Sequence, residues 1–223
     1  MLKRKNLITL ALFALAVITG AVSLRGPQEK PGTPPGKFDF WVLALSWSPT
    51  YCIQDGQDDT AQCGAKRRPG FVVHGLWPQY ERGYPANCEY GPERIDYRFA
   101  EEMADLMPSP GLVFHQWRKH GRCTGLSPDT YFSATRQAAK QVAIPREFLR
   151  APSEKLSPDR IETSFAAANS GLEKSAMAVV CNNGLLREVR VCLDKSLRYR
   201  SCIEVDTDAC RSNTLTIPEA SGS

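Results

Sequence analysis

The sequence contains few histidines, and this scarcity makes their positions informative. Three occur among 223 residues, at His74, His115 and His120. Imidazole has an unperturbed pKa of about 6.5, so it gains or loses a proton near neutral pH. A single histidine is more often a packed, hydrogen-bonded residue than a catalyst. Because all three lie in two aromatic-rich stretches, we interpret them together as acid–base groups.

The sequence also lacks the spacing of a metal site. It has eight cysteines but no Cys-x-x-Cys pair, and such pairs are typical of zinc sites. His115 and His120 are five positions apart, whereas a metal-binding helix needs its two histidines four apart. We therefore expect no metal. Eight cysteines that follow a predicted export signal instead indicate disulfides, and the spacing alone leaves their pairing open.

The excess of positive charge is too small to identify a partner. The formal net charge is +4, and residues 3–5 contribute three positive charges within the predicted leader. Affinity for nucleic acid would have to come from local clusters, at residues 66–68 and at residues 118–119 with Arg122. No internal repeat is visible, and the length suits one domain plus a targeting segment.

Long apolar runs are confined to the N-terminus. Residues 1–24 are predicted to be a signal peptide, with a basic start, an apolar run at 7–22 and small residues Ala21 and Ser23 for cleavage. An uncleaved N-terminal anchor is the alternative. In either case we expect the domain outside the cytoplasm, secreted or periplasmic. Residues 25–37, rich in proline and glycine, are predicted to be a flexible spacer.

The rest of the chain mixes predicted strands and helices, which indicates an α+β fold. Strands are predicted at 38–48, 71–74, 176–181 and 185–193, and helices at 96–107, 114–121, from 128 onward and at 159–169. Residues 54–69 and 143–155 are expected to be irregular, and the tail after Cys210 loose.

Two local patterns give more detail on the strands. The triplet at 182–184 (Asn-Asn-Gly) is a strong hairpin signal. In the strand that follows, one face is expected to pack, and the face with Glu188, Arg190 and Cys192 to be accessible to water. Gly75 is expected to turn the chain directly after His74.

Residues 114–121 place four polar groups on one helix face. With His115 at zero, Lys119 falls at about 40°, Gln116 at about 100° and His120 at about 140°. Trp117 falls at about 200°, where it can anchor the helix in a core. A basic run is usually a solvated face, but here the pattern presents two imidazoles, an ammonium and an amide to one cleft.

Two stretches carry a family resemblance. Residues 72–78 (Val-Val-His-Gly-Leu-Trp-Pro) and 115–123 (His-Gln-Trp-Arg-Lys-His-Gly-Arg-Cys) closely resemble the two active-site segments of the ribonuclease T2 family. These are secreted endoribonucleases of low base specificity. The resemblance implies a disulfide-stabilised α+β catalytic domain at 38–218, with a central antiparallel sheet packed by several helices. Residues 219–223 are expected to be a flexible tail.

The resemblance also implies a reaction and roles. Single-stranded RNA would be cleaved by transphosphorylation through a 2′,3′-cyclic phosphate, without metal or cofactor. His120 is the implied base and His74 the implied acid, while His115 and Lys119 would contact the phosphate. RNA is the expected partner, with no stable membrane partner unless the leader is uncleaved, and the chain is expected to be a monomer.

Base binding and disulfide pairing are implied in the same way. Trp77 and Gln79 are expected to bind substrate, although a plain core role for Trp77 carries equal weight. Three tyrosines are further stacking candidates: Tyr80, Tyr84 and Tyr90. The family pattern pairs the cysteines as Cys52–Cys63, Cys88–Cys123, Cys181–Cys210 and Cys192–Cys202.

This chain departs from the family at two positions. The family usually has glutamate where Gln116 stands, and commonly threonine where Arg122 stands. An amide keeps hydrogen bonding but loses the charge that would favour a neighbouring imidazolium. We therefore expect reduced or pH-shifted activity. The alternative is a secreted RNA-binding or inhibitory protein with impaired turnover.

Overall fold

The computed structural model describes residues 28–30, 34–64, 69–88, 94–149 and 153–220. The predicted leader at 1–24, the basic cluster at 66–68 and Tyr90 lie outside these residues. Within the described ranges, no helix is long and apolar enough to cross a membrane.

The described ranges contain short strands and helices in alternating groups. The strands are β1 (Glu29–Lys30), β2 (Phe40–Trp47), β3 (Phe71–Gln79), β4 (Tyr84–Pro85), β5 (Glu154–Leu156), β6 (Met177–Asn182), β7 (Leu185–Leu193) and β8 (Leu215–Ile217). The α-helices are α1 (Ser48–Gln54), α2 (Thr60–Cys63), α3 (Tyr97–Glu102), α4 (Pro110–Lys119), α5 (Pro128–Gln141), α6 (Pro158–Ala168) and α7 (Ile203–Asp206). Helices α5 and α6 begin directly after serine caps, since Ser127 and Ser157 accept hydrogen bonds from the third residue beyond each.

Six strands form the central sheet. Its order is β3-β2-β7-β8-β5, and β6 pairs with β7. The pairs β2–β3, β2–β7, β6–β7 and β5–β8 are antiparallel, and β7 meets β8 in parallel at Leu185 and Thr216. The predicted hairpin turns at Asn183 and Gly184, both with positive φ. The expected α+β fold with a mainly antiparallel sheet is therefore confirmed.

One face of the sheet carries the main core. Alternate residues of β2 point toward it, and they are nearly or fully buried: Trp41, Leu43, Leu45 and Trp47. Helices α5 and α6 cover this face with Tyr131, Phe132 and Phe165. The Tyr131 hydroxyl also donates to the Leu76 carbonyl at 2.9 Å, which fixes α5 against β3.

The opposite face of β7 is covered rather than wet, so that prediction is wrong. Glu188 is 2% exposed and Cys192 is fully buried. The chain beyond β7 returns through the Cys192–Cys202 disulfide and lays α7 over this face. Val205 of α7 packs there with Phe40 of β2. A polar side chain in this layer must therefore find its partner inside the protein.

Several segments predicted to be irregular are ordered. The tail after Cys210 is not loose, because Leu215 and Ile217 of β8 are buried and the Trp47 indole donates to the Pro218 carbonyl at 2.9 Å. Helix α2 lies within 54–69, and β5 begins within 143–155. Part of the predicted spacer also pairs, since β1 lies parallel to β4. These short elements depend on partners distant in sequence, which local patterns do not reveal.

All four disulfides join the pairs that the family resemblance implied: Cys52–Cys63, Cys88–Cys123, Cys181–Cys210 and Cys192–Cys202. The Cys88–Cys123 bridge connects the loop beyond β4 to the 3-10 turn that follows α4. It therefore holds the end of α4 beside the segment that continues from β3.

Candidate functional site

A β-bulge in β3 sets the direction of His74. Ala44 of β2 pairs with Gly75, and Leu45 pairs with Val73, so His74 is an extra residue without a partner in β2. A bulge of this kind re-aims one side chain and bends the strand locally. The predicted strand end at His74 and turn at Gly75 are therefore wrong, because β3 continues to Gln79.

The extra residue also shifts the alternation along β3. Val73 and Leu76 both pack into the main core, whereas a regular strand would point residues three apart to opposite faces. Beyond the bulge, Trp77 and Gln79 consequently face the same cavity as His74. The bulge therefore places one imidazole and two candidate substrate-binding side chains on one side of the sheet.

Gly75 allows the closest approach between β3 and α4. A Cβ atom at this position would lie 2.1 Å from Gln116 Oε1 and 2.5 Å from Trp77 Nε1. Without that atom, Trp77 Nε1 donates a hydrogen bond to Gln116 Oε1 at 2.8 Å. Because the indole nitrogen can only donate, this bond fixes the amide with its oxygen toward Trp77.

Helix α4 supplies the other half of the site. Pro110 opens the helix, and His120 is its C-terminal cap residue. Trp117 is buried in the core as the helical projection predicts, and Gln116 is buried as well, at 1% exposure. Arg118 points outward to solvent. The helix therefore turns His115, Lys119 and His120 toward β3.

The two halves enclose a cavity of about 200 Å³. It brings together the expected catalytic residues and the two expected substrate-binding residues: His74, Trp77, Gln79, His115, Gln116, Lys119 and His120. Of the stacking candidates among the described residues, Tyr84 lines the cavity and Tyr80 does not. Its remaining lining residues are Val42, Tyr84, Arg190, Val205 and Asp208. A second cavity, of about 540 Å³, shares His74 and His115 with the first and extends toward α1 and α2. His74 and His115 therefore stand where the two cavities meet.

His74 is held by a buried carboxylate. Its Nδ1 lies 2.5 Å from Glu188 Oε1. Burial favours the neutral form of Glu188, but His74 and Arg190 outweigh it and hold the pKa of this carboxyl well below its usual value. An ionised carboxylate can only accept a hydrogen bond, so Nδ1 of His74 is the donor. Its Nε2 is then the ring nitrogen available to a ligand in the cavity.

His120 has the opposite environment. It is 5% exposed, and its ring stacks on Trp77 with centroids 5.2 Å apart. Its Nδ1 has no hydrogen-bond partner among the described residues. Burial, followed by the nearby charges of Lys119, His74 and His115, lowers the pKa of His120 well below 6.5. This ring is therefore neutral at neutral pH.

The remaining groups of α4 at the cavity are His115 and Lys119. Burial, and then Lys119, His74 and Arg118, lower the pKa of His115. The Lys119 side chain stays partly accessible beside it.

Within the described part of the chain, no group of three or more His, Cys, Asp or Glu residues has the arrangement of a metal site.

Glu188, Arg190 and Asp208 are site residues that the sequence did not identify. Arg190 Nε donates to Glu188 Oε2 at 3.1 Å, and its Nη1 donates to Asp208 Oδ2 at 3.2 Å. The Arg190 guanidinium also lies 5.2 Å from the centre of the Trp77 ring. The alternation along β7 did group Glu188 with Arg190, but the pairing of β7 with β2 was needed to place them beside His74.

Comparisons with known proteins agree with this geometry. A model of the ribonuclease T2 family matches residues 38–202. The chain is 35% identical over 208 residues to a ribonuclease of Aeromonas hydrophila, covering 86% of this chain and 85% of that protein.

Solved structures show the same fold. The fold of trichomaglin, described as an S-like ribonuclease, matches 83% of this chain and all of its own with a TM-score of 0.67 and 23% identity. RNase NT, solved in complex with 5′-AMP, matches 82% of this chain and 99% of its own with a TM-score of 0.61 and 22% identity.

The contact at Gly75 predicts that Gly75→Ala lowers the free energy of unfolding by about 1–3 kcal/mol, because the new methyl group must displace Gln116 or Trp77. Urea unfolding measures this difference. The matched control is Gly111→Ala in α4, where the new Cβ would meet Ser109 Oγ at an ordinary 3.6 Å. A Gly75→Ala protein as stable as the parent would contradict the packing described for β3 and α4.

Proposed function

Because the chain belongs to the ribonuclease T2 family and is an RNA endonuclease, we propose that it cleaves single-stranded RNA by metal-independent transphosphorylation. The observation that carries the proposal is one cavity lined by three imidazoles and one ammonium, from His74, His115, His120 and Lys119. RNA contains its own nucleophile, the 2′-hydroxyl. The enzyme must remove the proton of this hydroxyl, protonate the leaving 5′-oxygen and stabilise the charge on phosphorus between these events.

His120 is the proposed general base. A base must be unprotonated at the working pH, and burial keeps this imidazole neutral. It takes the proton of the 2′-hydroxyl while the 2′-oxygen attacks the adjacent phosphorus. The bond from phosphorus to the 5′-oxygen then breaks, which leaves a 2′,3′-cyclic phosphate.

His74 is the proposed general acid. Its Nδ1 is occupied by Glu188, so Nε2 is the nitrogen that gives a proton to the leaving 5′-oxygen. Lys119 and His115 line the same cavity as the two imidazoles, and we propose that they stabilise the negative charge of the pentavalent intermediate. The position of His74 and His115 between the two cavities supports placing the scissile phosphate there.

Trp77 and Gln79 are the proposed substrate-binding residues, since both line the cavity. Trp77 also packs its ring against His120 and against the edge of His74. Its ring contacts support the packing interpretation of Trp77, and its place in the cavity lining supports the proposed substrate-binding role. Tyr84 faces the same cavity and remains a stacking candidate.

We further propose that the protein works outside the cytoplasm, secreted or periplasmic. Four disulfides join all eight cysteines. Bridges of this kind persist in oxidising compartments and are rare in the cytosol. They support the export signal expected at 1–24.

A second candidate is an RNA-binding protein with impaired turnover, and Gln116 is the observation that favours it. A buried amide here keeps the hydrogen bond from Trp77 but contributes no charge. The general acid and base candidates are nevertheless both present, which favours the enzyme with altered rate over the inactive binder.

The proposed mechanism predicts that the oxidised protein cleaves single-stranded RNA in excess EDTA and leaves 2′,3′-cyclic phosphate ends. His120→Ala should lower kcat by about 10²–10⁴-fold, since it removes the general base. Lys140→Ala on the exposed surface of α5 is the control. Dependence on added metal, or a near-parental rate for His120→Ala, would overturn the mechanism; RNA binding without single-turnover cleavage would favour the second candidate.

The site geometry also predicts the effect of restoring a carboxylate. Glutamate at position 116 can still accept the Trp77 hydrogen bond, and its charge favours protonation of a neighbouring imidazole. Gln116→Glu should therefore raise kcat and move the acidic limb of the kcat/KM profile to higher pH. Gln137→Glu, an equal charge change on exposed α5, should leave the profile in place. An acidic limb that stays still or moves down for Gln116→Glu would contradict this prediction.

A further inference from the structure

We propose that Glu188 is a positioning residue of the reaction, which holds His74 by Nδ1 so that Nε2 faces the leaving oxygen. The inference rests on the proposed function, because it assigns the partner of the proposed general acid. Glu188 contacts no substrate in this arrangement. It acts through the imidazole that it orients.

The first support is the way in which both carboxylate oxygens are used. Oε1 lies 2.5 Å from His74 Nδ1 and receives a longer hydrogen bond, of 3.4 Å, from Ser46 Oγ. Oε2 accepts from Arg190 Nε at 3.1 Å. With the carboxyl group 2% exposed, it cannot turn toward solvent without breaking these bonds. The side chain is therefore fixed from two sides before it meets the imidazole.

The second support is the path that Glu188 takes across the sheet. It lies on β7, whereas His74 lies on β3, and β2 runs between them. The residues of β2 that face the site at this level are small: Ala44 pairs with Arg190 and with Gly75, and Ser46 pairs with Glu188. These small side chains leave room for a glutamate to reach over the strand. The bulge brings His74 to the end of that path.

The third support concerns Gln116. The position at which the family usually carries a glutamate is an amide here, bonded to Trp77 near His120. The buried carboxylate of this site is that of Glu188 on β7, and it contacts His74 rather than His120. Asp208 also lines the cavity, but its side chain is 37% exposed and it binds Arg190 rather than a histidine.

Other charged groups surround His74, and the test must separate Glu188 from them. Helix α4 contributes His115, Lys119 and His120, and β7 contributes Arg187 and Arg190 beside Glu188 itself. The second cavity, near α1 and α2, adds Asp55 and Asp59. Because several charges act on this ring, an overall fall in rate would not identify the role of Glu188. The readout must report proton donation to the leaving group.

Two substrates with different leaving groups provide that readout. A dinucleoside phosphate expels an alkoxide, which needs a proton, whereas a nucleoside 3′-(4-nitrophenyl phosphate) expels nitrophenolate, which does not. Glu188→Gln should lower kcat on the dinucleoside phosphate by about 10- to 100-fold, because the acid is misplaced. On the nitrophenyl ester it should stay within about twofold of the parent, because that leaving group needs no acid.

Control variants and a spectroscopic signal complete the test. His74→Ala should show the same dependence on the leaving group, and Glu154→Gln on distant β5 should show none. The His74 Nδ1 proton should give a strongly downfield NMR resonance in the parent that is lost in Glu188→Gln. Circular dichroism checks that each variant is folded.

Each result decides between stated alternatives. Equal losses on both substrates, no loss on either, or an unchanged downfield resonance would overturn the role of Glu188. A parent protein that cleaves neither ester would instead remove the proposed function, and with it the reaction that Glu188 is proposed to serve.

Discussion

The hydrogen bond from Trp77 to Gln116 is the contact on which the site depends. It joins β3, which carries His74, to α4, which carries the other two histidines. Both partners are drawn close because position 75 has no side chain. The Cys88–Cys123 bridge holds the same two segments from the other end. The indole of Trp77 can only donate, and glutamine and glutamate both offer a side-chain oxygen that accepts. Glutamine can therefore replace glutamate at position 116 without loss of this hydrogen bond. The replacement changes the electrostatics of the site and keeps its architecture.

The protein gives its imidazoles different surroundings within one cavity. His120 is buried against Trp77 and is neutral because desolvation opposes its charge. His74 is more accessible and is bound to a carboxylate that stays ionised. General acid–base catalysis needs one group of each kind. The sheet produces the difference, because the bulge in β3 aims His74 at β7, while the end of α4 packs His120 against the indole.

Much of the fold was predictable because its signals are local. Serines at 127 and 157 cap helices, and the Asn-Asn-Gly turn forms the hairpin, as short-range chemistry requires. The grouping of the histidines with Lys119 followed from helical periodicity and from the family resemblance. The bulge at His74 was not predictable, because an extra residue leaves no mark in the alternation of Val-Val-His-Gly-Leu. Glu188 was missed because a polar residue on one strand face is expected to be solvent-exposed until its partners on other elements are known. Here the first partner is His74 of β3.

The central claim is that burial keeps His120 neutral in a cavity that Lys119 and Arg190 also line. The most direct measurement is an NMR titration of the imidazole resonances of the folded protein, with His120 assigned from the spectrum of His120→Ala. The account predicts a midpoint for His120 well below the value of about 6.5 of a free imidazole. A midpoint at or above that value would contradict the effect of burial on this ring. A midpoint above neutral pH would leave the ring mainly charged there, and the assignment of His120 as the base would fail.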